Sequence, residues 1–113
     1  MNAERQDVWG MARDLAGTAA GASSGRAAHT VHGGHEATLR QTVIALRAGA
    51  SLAEHENPGE ATLLVLEGSV RLTSTAEPQE ASRGELLTVP AERHALEALD
   101  DAVVLLTVAK LPG

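Results

Sequence analysis

Turn-forming residues recur along this 113-residue chain at intervals that leave room for short strands and, beyond its N-terminal stretch, for little else. Between the turns lie runs rich in β-branched and aliphatic residues: 26–32, 38–46 (TLRQTVIAL), 52–55, 62–66, 70–75, 86–89, 94–99 and 103–108. Gly33-Gly34 separates the first two, and Glu67-Gly68-Ser69 is a hairpin signal between 62–66 and 70–75. Short strands at such regular spacing predict an all-β sandwich or barrel. Residues 4–20 read differently. Val8, Met11, Ala12, Leu15 and Ala19 recur at helical spacing and form one apolar stripe. The GASSG stretch at 21–25 ends that helix and acts as a hinge. The expected division is an N-terminal helix and linker over 1–25 and a single β domain over 26–113.

Composition narrows the function classes. Apolar residues make up 43% of the chain, yet Trp9 is its one aromatic residue, so the core must be built from Leu, Val, Ile and Ala. Sugar and single-stranded nucleic-acid sites stack their ligands on aromatic faces, and this chain has almost none to offer. The formal net charge of −6 repels phosphate backbones and argues against nucleic-acid binding. It suits cations and neutral ligands. The absence of cysteine excludes disulfides, thiolate catalysis and Cys-based zinc sites. No run approaches the length of a membrane span, and MNAERQDVWGMARDL lacks an apolar signal-peptide core. The expectation is a soluble cytoplasmic protein.

Two strands, ATLLVL at 61–66 and AVVLLTVA at 102–109, are apolar on both faces. A strand with one face in water alternates apolar with polar residues, so both faces here need a cover. Either a second copy supplies it, giving a homodimer, or the N-terminal helix covers one face. The homodimer is the expectation. Alternation then sets Leu63 and Val65 toward the barrel interior, and Leu64 and Leu66 toward the opposite surface.

Residues 49–68, GASLAEHENPGEATLLVLEG, and 84–94, GELLTVPAERH, carry the strongest pattern. In the first, five residues separate Gly49 from His55, and the strand closes on Glu67-Gly68. In the second, five residues separate Gly84 from Pro90, and His94 follows. These blocks resemble the two motifs of the cupin superfamily. The resemblance, which covers about residues 38–108, implies a small antiparallel jelly-roll barrel with one helix outside it, in many members with a metal inside. The family's first motif continues with a second histidine two residues after the first, where this chain has Asn57. Its glutamate position, counted back from Gly68, falls on Ala61; Glu60 is one residue away and in a regular strand points to the opposite face. His94 falls one residue early for the second motif. The candidate metal ligands are therefore His55, Asn57 and His94, with Glu60 a fourth only if the turn at 57–60 redirects it.

Facing neutral imidazoles suit zinc, iron, nickel, manganese or copper. Two alone leave a metal under-coordinated, because structural zinc takes four protein ligands and catalytic zinc three plus water. Two readings stay open: His55 and His94 hold a divalent cation, or they are barrel-mouth residues hydrogen-bonded to neighbours or water. Gln41 shares a face with Val43 and Ala45, and Arg40 with Thr42 and Ile44, so one of the two should point inward. A polar group among apolar ones needs a partner, and a bound ligand could be Gln41's; Gln41 and Glu60 are the candidate ligand-binding residues. His29, His32 and His35, in HTVHGGH, fall at three-residue intervals. Strand alternation separates His29 from His32, and the Gly33-Gly34 turn could return His35 beside His32. No G-x-S-x-G or phosphate-loop context is present, and no catalytic residue is assigned. The favoured reading is a small binding protein with a degenerate pocket for a small molecule or divalent cation. The alternatives are a metal-dependent oxygenase or isomerase and a ligand-sensing regulatory domain.

Overall fold

The computed structural model describes residues 3–55 and 59–110, with the backbone alone for 53–55. One helix, α1 (Val8–Gly21), precedes nine strands. They are β1 (Arg26–His32), β2 (Leu39–Leu46), β3 (Ser51–His55), β4 (Gly59–Glu67), β5 (Ser69–Thr73), β6 (Gln79–Ser82), β7 (Leu86–Val89), β8 (His94–Ala98) and β9 (Ala102–Lys110). The helix begins later than the expected span of 4–20, at the first residue of its apolar stripe. Asp7 caps it, its side chain accepting a hydrogen bond from the Gly10 N–H at 3.0 Å, so residues 4–6 stay outside. β6, sequence QEAS, is the strand that periodicity missed: Ala81 is its one buried residue.

The strands form a five-stranded sheet, β1-β2-β9-β4-β7, and a four-stranded sheet, β3-β8-β5-β6. Each pairing is antiparallel. The two sheets face each other as an all-β jelly roll, and alternation along each strand decides what lies between them. From the five-stranded sheet come Ile44, Leu46, Ala61, Leu63, Val65, Val89, Ala102 and Val104; the other contributes Val70, Leu72, Ala81, Leu96 and Ala98. Leu63 and Val65 thus face the interior, as their alternation predicted. Leu66 is buried on the outer side, and Leu64 is half-buried there.

That outer side has its own core. α1 lies across β1, β2 and β9 and buries Ala12 and Ala19 with Val43, Ala45, Leu66 and Val103. The helix therefore provides part of the cover that the doubly apolar strands required. It leaves the far strand open: Leu86 on β7, which pairs with Leu64, is 60% exposed. Trp9 is 50% exposed, with the Arg83 guanidinium 5.4 Å above its ring.

Gly68 shows why the first block ends in glycine. Its φ is +74°, and a Cβ there would collide with the Asp101 carbonyl oxygen and lie 2.9 Å from the Ala102 Cα. The β4–β5 turn can press against the start of β9 only without a side chain. No described helix is long and apolar enough to cross a membrane.

Candidate site at the barrel mouth

His94 opens β8 after Pro90, which follows the last residue of β7. It shares the interior-facing alternation of Leu96 and Ala98 and is 6% exposed, the one buried polar or charged side chain among the described residues. Its Nδ1 lies 2.9 Å from the Glu92 carbonyl oxygen. A carbonyl can only accept, so Nδ1 carries the hydrogen and the neutral ring has its lone pair on Nε2. A hydrogen bond of this kind, from the ring nitrogen away from the ligand, orients histidines in metal sites.

The ladder between β3 and β8 pairs His55 with His94, after a register irregularity between Leu52 and His55. Opposed positions in an antiparallel ladder have Cα atoms about 4.5–5.5 Å apart. Two histidines remote in sequence are thus direct neighbours in the backbone. Asn57 lies outside the described residues.

The remaining candidates stand elsewhere. Ala61 occupies the interior position of the motif's glutamate, in register with Val108 and Val89, and is buried in the core. Glu60, next to it, is exposed and lies on the outer side of β4. Gln41 also faces outward, and its Nε2 donates to Thr107 Oγ1 at 3.2 Å. The register continues this polar row through Thr62 and Thr88, so the partner Gln41 required is supplied by the sheet itself. Arg40 is the member of the pair on the interior-facing side, opposite Val108.

The histidine cluster departs from simple alternation. The register shifts between Thr30 and His32, and His29 opposes Val43 while His32 opposes Gln41. Both opposed residues belong to the outer face, so the bulge at Val31 puts His29 and His32 on the same side, contrary to the alternation argument. All three histidines are exposed.

A metal of the kind the resemblance implies needs three or four donors. No group of three His, Asp or Glu side chains among the described residues could hold one. Ala61 places a methyl group where the motif has a carboxylate. The described donor set does not fit a tightly bound metal.

Comparison with known proteins agrees with this architecture. The family model for the cupin domain, Cupin_2, matches residues 42–109. A conserved protein of unknown function from Streptococcus pyogenes is 27% identical, with 81% of this chain and 80% of that one covered and a TM-score of 0.72. An RmlC-like cupin protein from Desulfovibrio desulfuricans is also 27% identical, covering 74% and 81%, with a TM-score of 0.65. An HTH_3 family transcriptional regulator from Vibrio cholerae is 21% identical and shares the fold, TM-score 0.66, over 77% of this chain and 52% of that one. No curated protein matches the sequence. With the cupin-domain match running from β2 to β9, over more than half of its length, the chain belongs to the cupin family.

Proposed function

We propose that this cupin is a small-molecule binding module whose ligand enters the barrel mouth and is read by the imidazoles of His94 and His55. One observation carries the reading. A buried, carbonyl-oriented histidine sits in ladder register with a second histidine, while alanine replaces the carboxylate that would complete a metal site. Burying a polar ring in an aliphatic interior is costly unless hydrogen bonds satisfy it, and the Glu92 carbonyl supplies one while fixing how the ring is presented at the mouth. A divalent cation is the simplest such ligand. With alanine at position 61 in place of the motif's carboxylate, it would bind weakly and exchange readily, which disfavours a metal-dependent oxygenase or isomerase.

Elemental analysis of untagged protein purified without chelator, followed by zinc titration in a calorimeter, tests the cation. The expected result is substoichiometric metal on purification. Added zinc should bind weakly, lose affinity as the imidazoles protonate near pH 6, and respond to His94→Ala but not to His29→Ala. Stoichiometric, chelator-resistant metal would instead favour the enzyme reading.

Two further parts of the proposal concern assembly. The likeness to a regulator of which this fold forms about half favours a sensory role as the second reading. The exposed Leu86 beside half-buried Leu64 supports a homodimer through the part of the sheet that α1 leaves open.

A further inference from the structure

We propose that the cleft between the β1–β2 turn and the end of β9 is an oxyanion site that holds the charged end of a small-molecule ligand; as the ligand's second anchor, it rests on the barrel-mouth reading above. The cleft, about 300 Å³, is lined by Thr30, Gly33, Gly34, His35, Arg40 and Lys110. It gathers an arginine, a histidine and the chain's single lysine with no carboxylate among its described walls, in a protein of net charge −6. Glu36, next to His35 in the chain, and Glu60, opposite Ala109, do not line it.

The backbone forces the two permanent cations together. Arg40 on β2 opposes Val108 on β9, so Lys110, two residues further along β9, is its diagonal neighbour on the same side. Diagonal positions are about 7–8 Å apart. Neither side chain has a hydrogen bond or ion pair among the described residues, although Arg71 and Arg83 elsewhere find carboxylates. Like charges held this close repel, and an anion between them reverses the sign of the interaction.

Local geometry completes the cleft. Gly33 has φ +98°, and a Cβ there would strike the Leu39 carbonyl and lie 2.9 Å from the Arg40 Cα. The turn is therefore packed onto the backbone that carries Arg40, and His35 arrives in the same cleft. Thr30 Oγ1 is fixed 3.3 Å from Thr42 Oγ1 at the wall.

The site also has a direction. Arg40, Val108 and Ala61 form one interior-facing row across three adjacent strands. Two strand spacings make roughly 10 Å, which is the separation between the arginine of this cleft and the alanine at the motif's glutamate position.

The experiment is a titration of full-length ¹⁵N-labelled protein with inorganic phosphate and, separately, with succinate, at ionic strength held constant with chloride. Saturable shifts are expected at the Gly33, Gly34, His35 and Lys110 amides. Response to one probe alone identifies a phosphate or a carboxylate. Arg40→Gln and Lys110→Gln should each weaken binding about tenfold or more, as expected for loss of a charged hydrogen-bond donor. His29→Gln, on the other side of β1, should leave it unchanged. The zinc titration reads the barrel mouth alone, so saturable anion shifts here without zinc binding there separate failure of the barrel-mouth reading from failure of this site. Shifts that follow chloride alone, or that persist in Arg40→Gln and Lys110→Gln, would overturn the proposal.

Discussion

The two faces of the five-stranded sheet solve the same burial problem by different means. The interior face is closed by a second sheet, residue against residue, and its row Ile44, Val104, Val65 is shielded almost completely. The outer face is closed by one helix that spans only its β1, β2 and β9 side, and Leu86 stays open at the far edge. Continuous apolarity in a strand therefore reports that both faces meet cover of some kind, not that a second molecule provides it.

The largest expected effect tests the interior. The double substitution Asn57→His with Ala61→Glu should lower stability by several kcal/mol in metal-free buffer, because Ala61 is 6% exposed and the new carboxylate is buried. Zinc should restore it, with calorimetric affinity well above that of the unsubstituted protein. Loss of stability without this rescue would mean that position 61 does not look toward the histidine pair. Next comes Leu63→Ala, at 3% exposure, which should cost roughly 2–5 kcal/mol in urea unfolding at any protein concentration.

The outer face should respond more mildly. Ala19→Leu, at 1% exposure beneath α1, should cost roughly 1–3 kcal/mol by overpacking the helix against the sheet. Leu86→Ser should leave the fold intact and lower the sedimentation mass at micromolar concentration; an unchanged mass would remove this edge from any dimer. The smallest effect lies beside the site. The Thr75 hydroxyl donates to Glu92 Oε2 at 2.6 Å and holds that carboxyl below its ordinary pKa. A depressed carboxylate stabilises the fold above its unfolded pKa and loses that contribution as pH falls through the lowered value. Thr75→Val should move the Glu92 titration, followed by NMR, upward toward the usual carboxylate range, with the Ser74 hydroxyl and the Thr75 backbone N–H still lowering it.

Much of this architecture was legible because aliphatic strands advertise their period. Residues 61–66 announced both their faces, whereas the helix was expected from residue 4 because its Asp7 cap was not recognised. β6 was silent because QEAS has one residue to bury. Alternation showed that Arg40 and Gln41 point opposite ways but not which way; only pairing with Thr107 and Val108 decides that. The bulge at Val31 likewise could not be read from spacing. The nearness of His55 to His94 followed from the family motifs, whereas that of Arg40 to Lys110 had no signal, since their positions are joined only through the β2–β9 register.

Trp9 gives the molecule an unplanned instrument. It is the chain's single aromatic residue and stands on the helix that docks against the sheet, under a guanidinium. Intrinsic fluorescence therefore reports the surroundings of the helix, its contact with Arg83 included, while the aliphatic barrel stays optically dark. A probe that unfolds the helix from the sheet would look like global denaturation by emission, and only far-ultraviolet dichroism would reveal a barrel still standing.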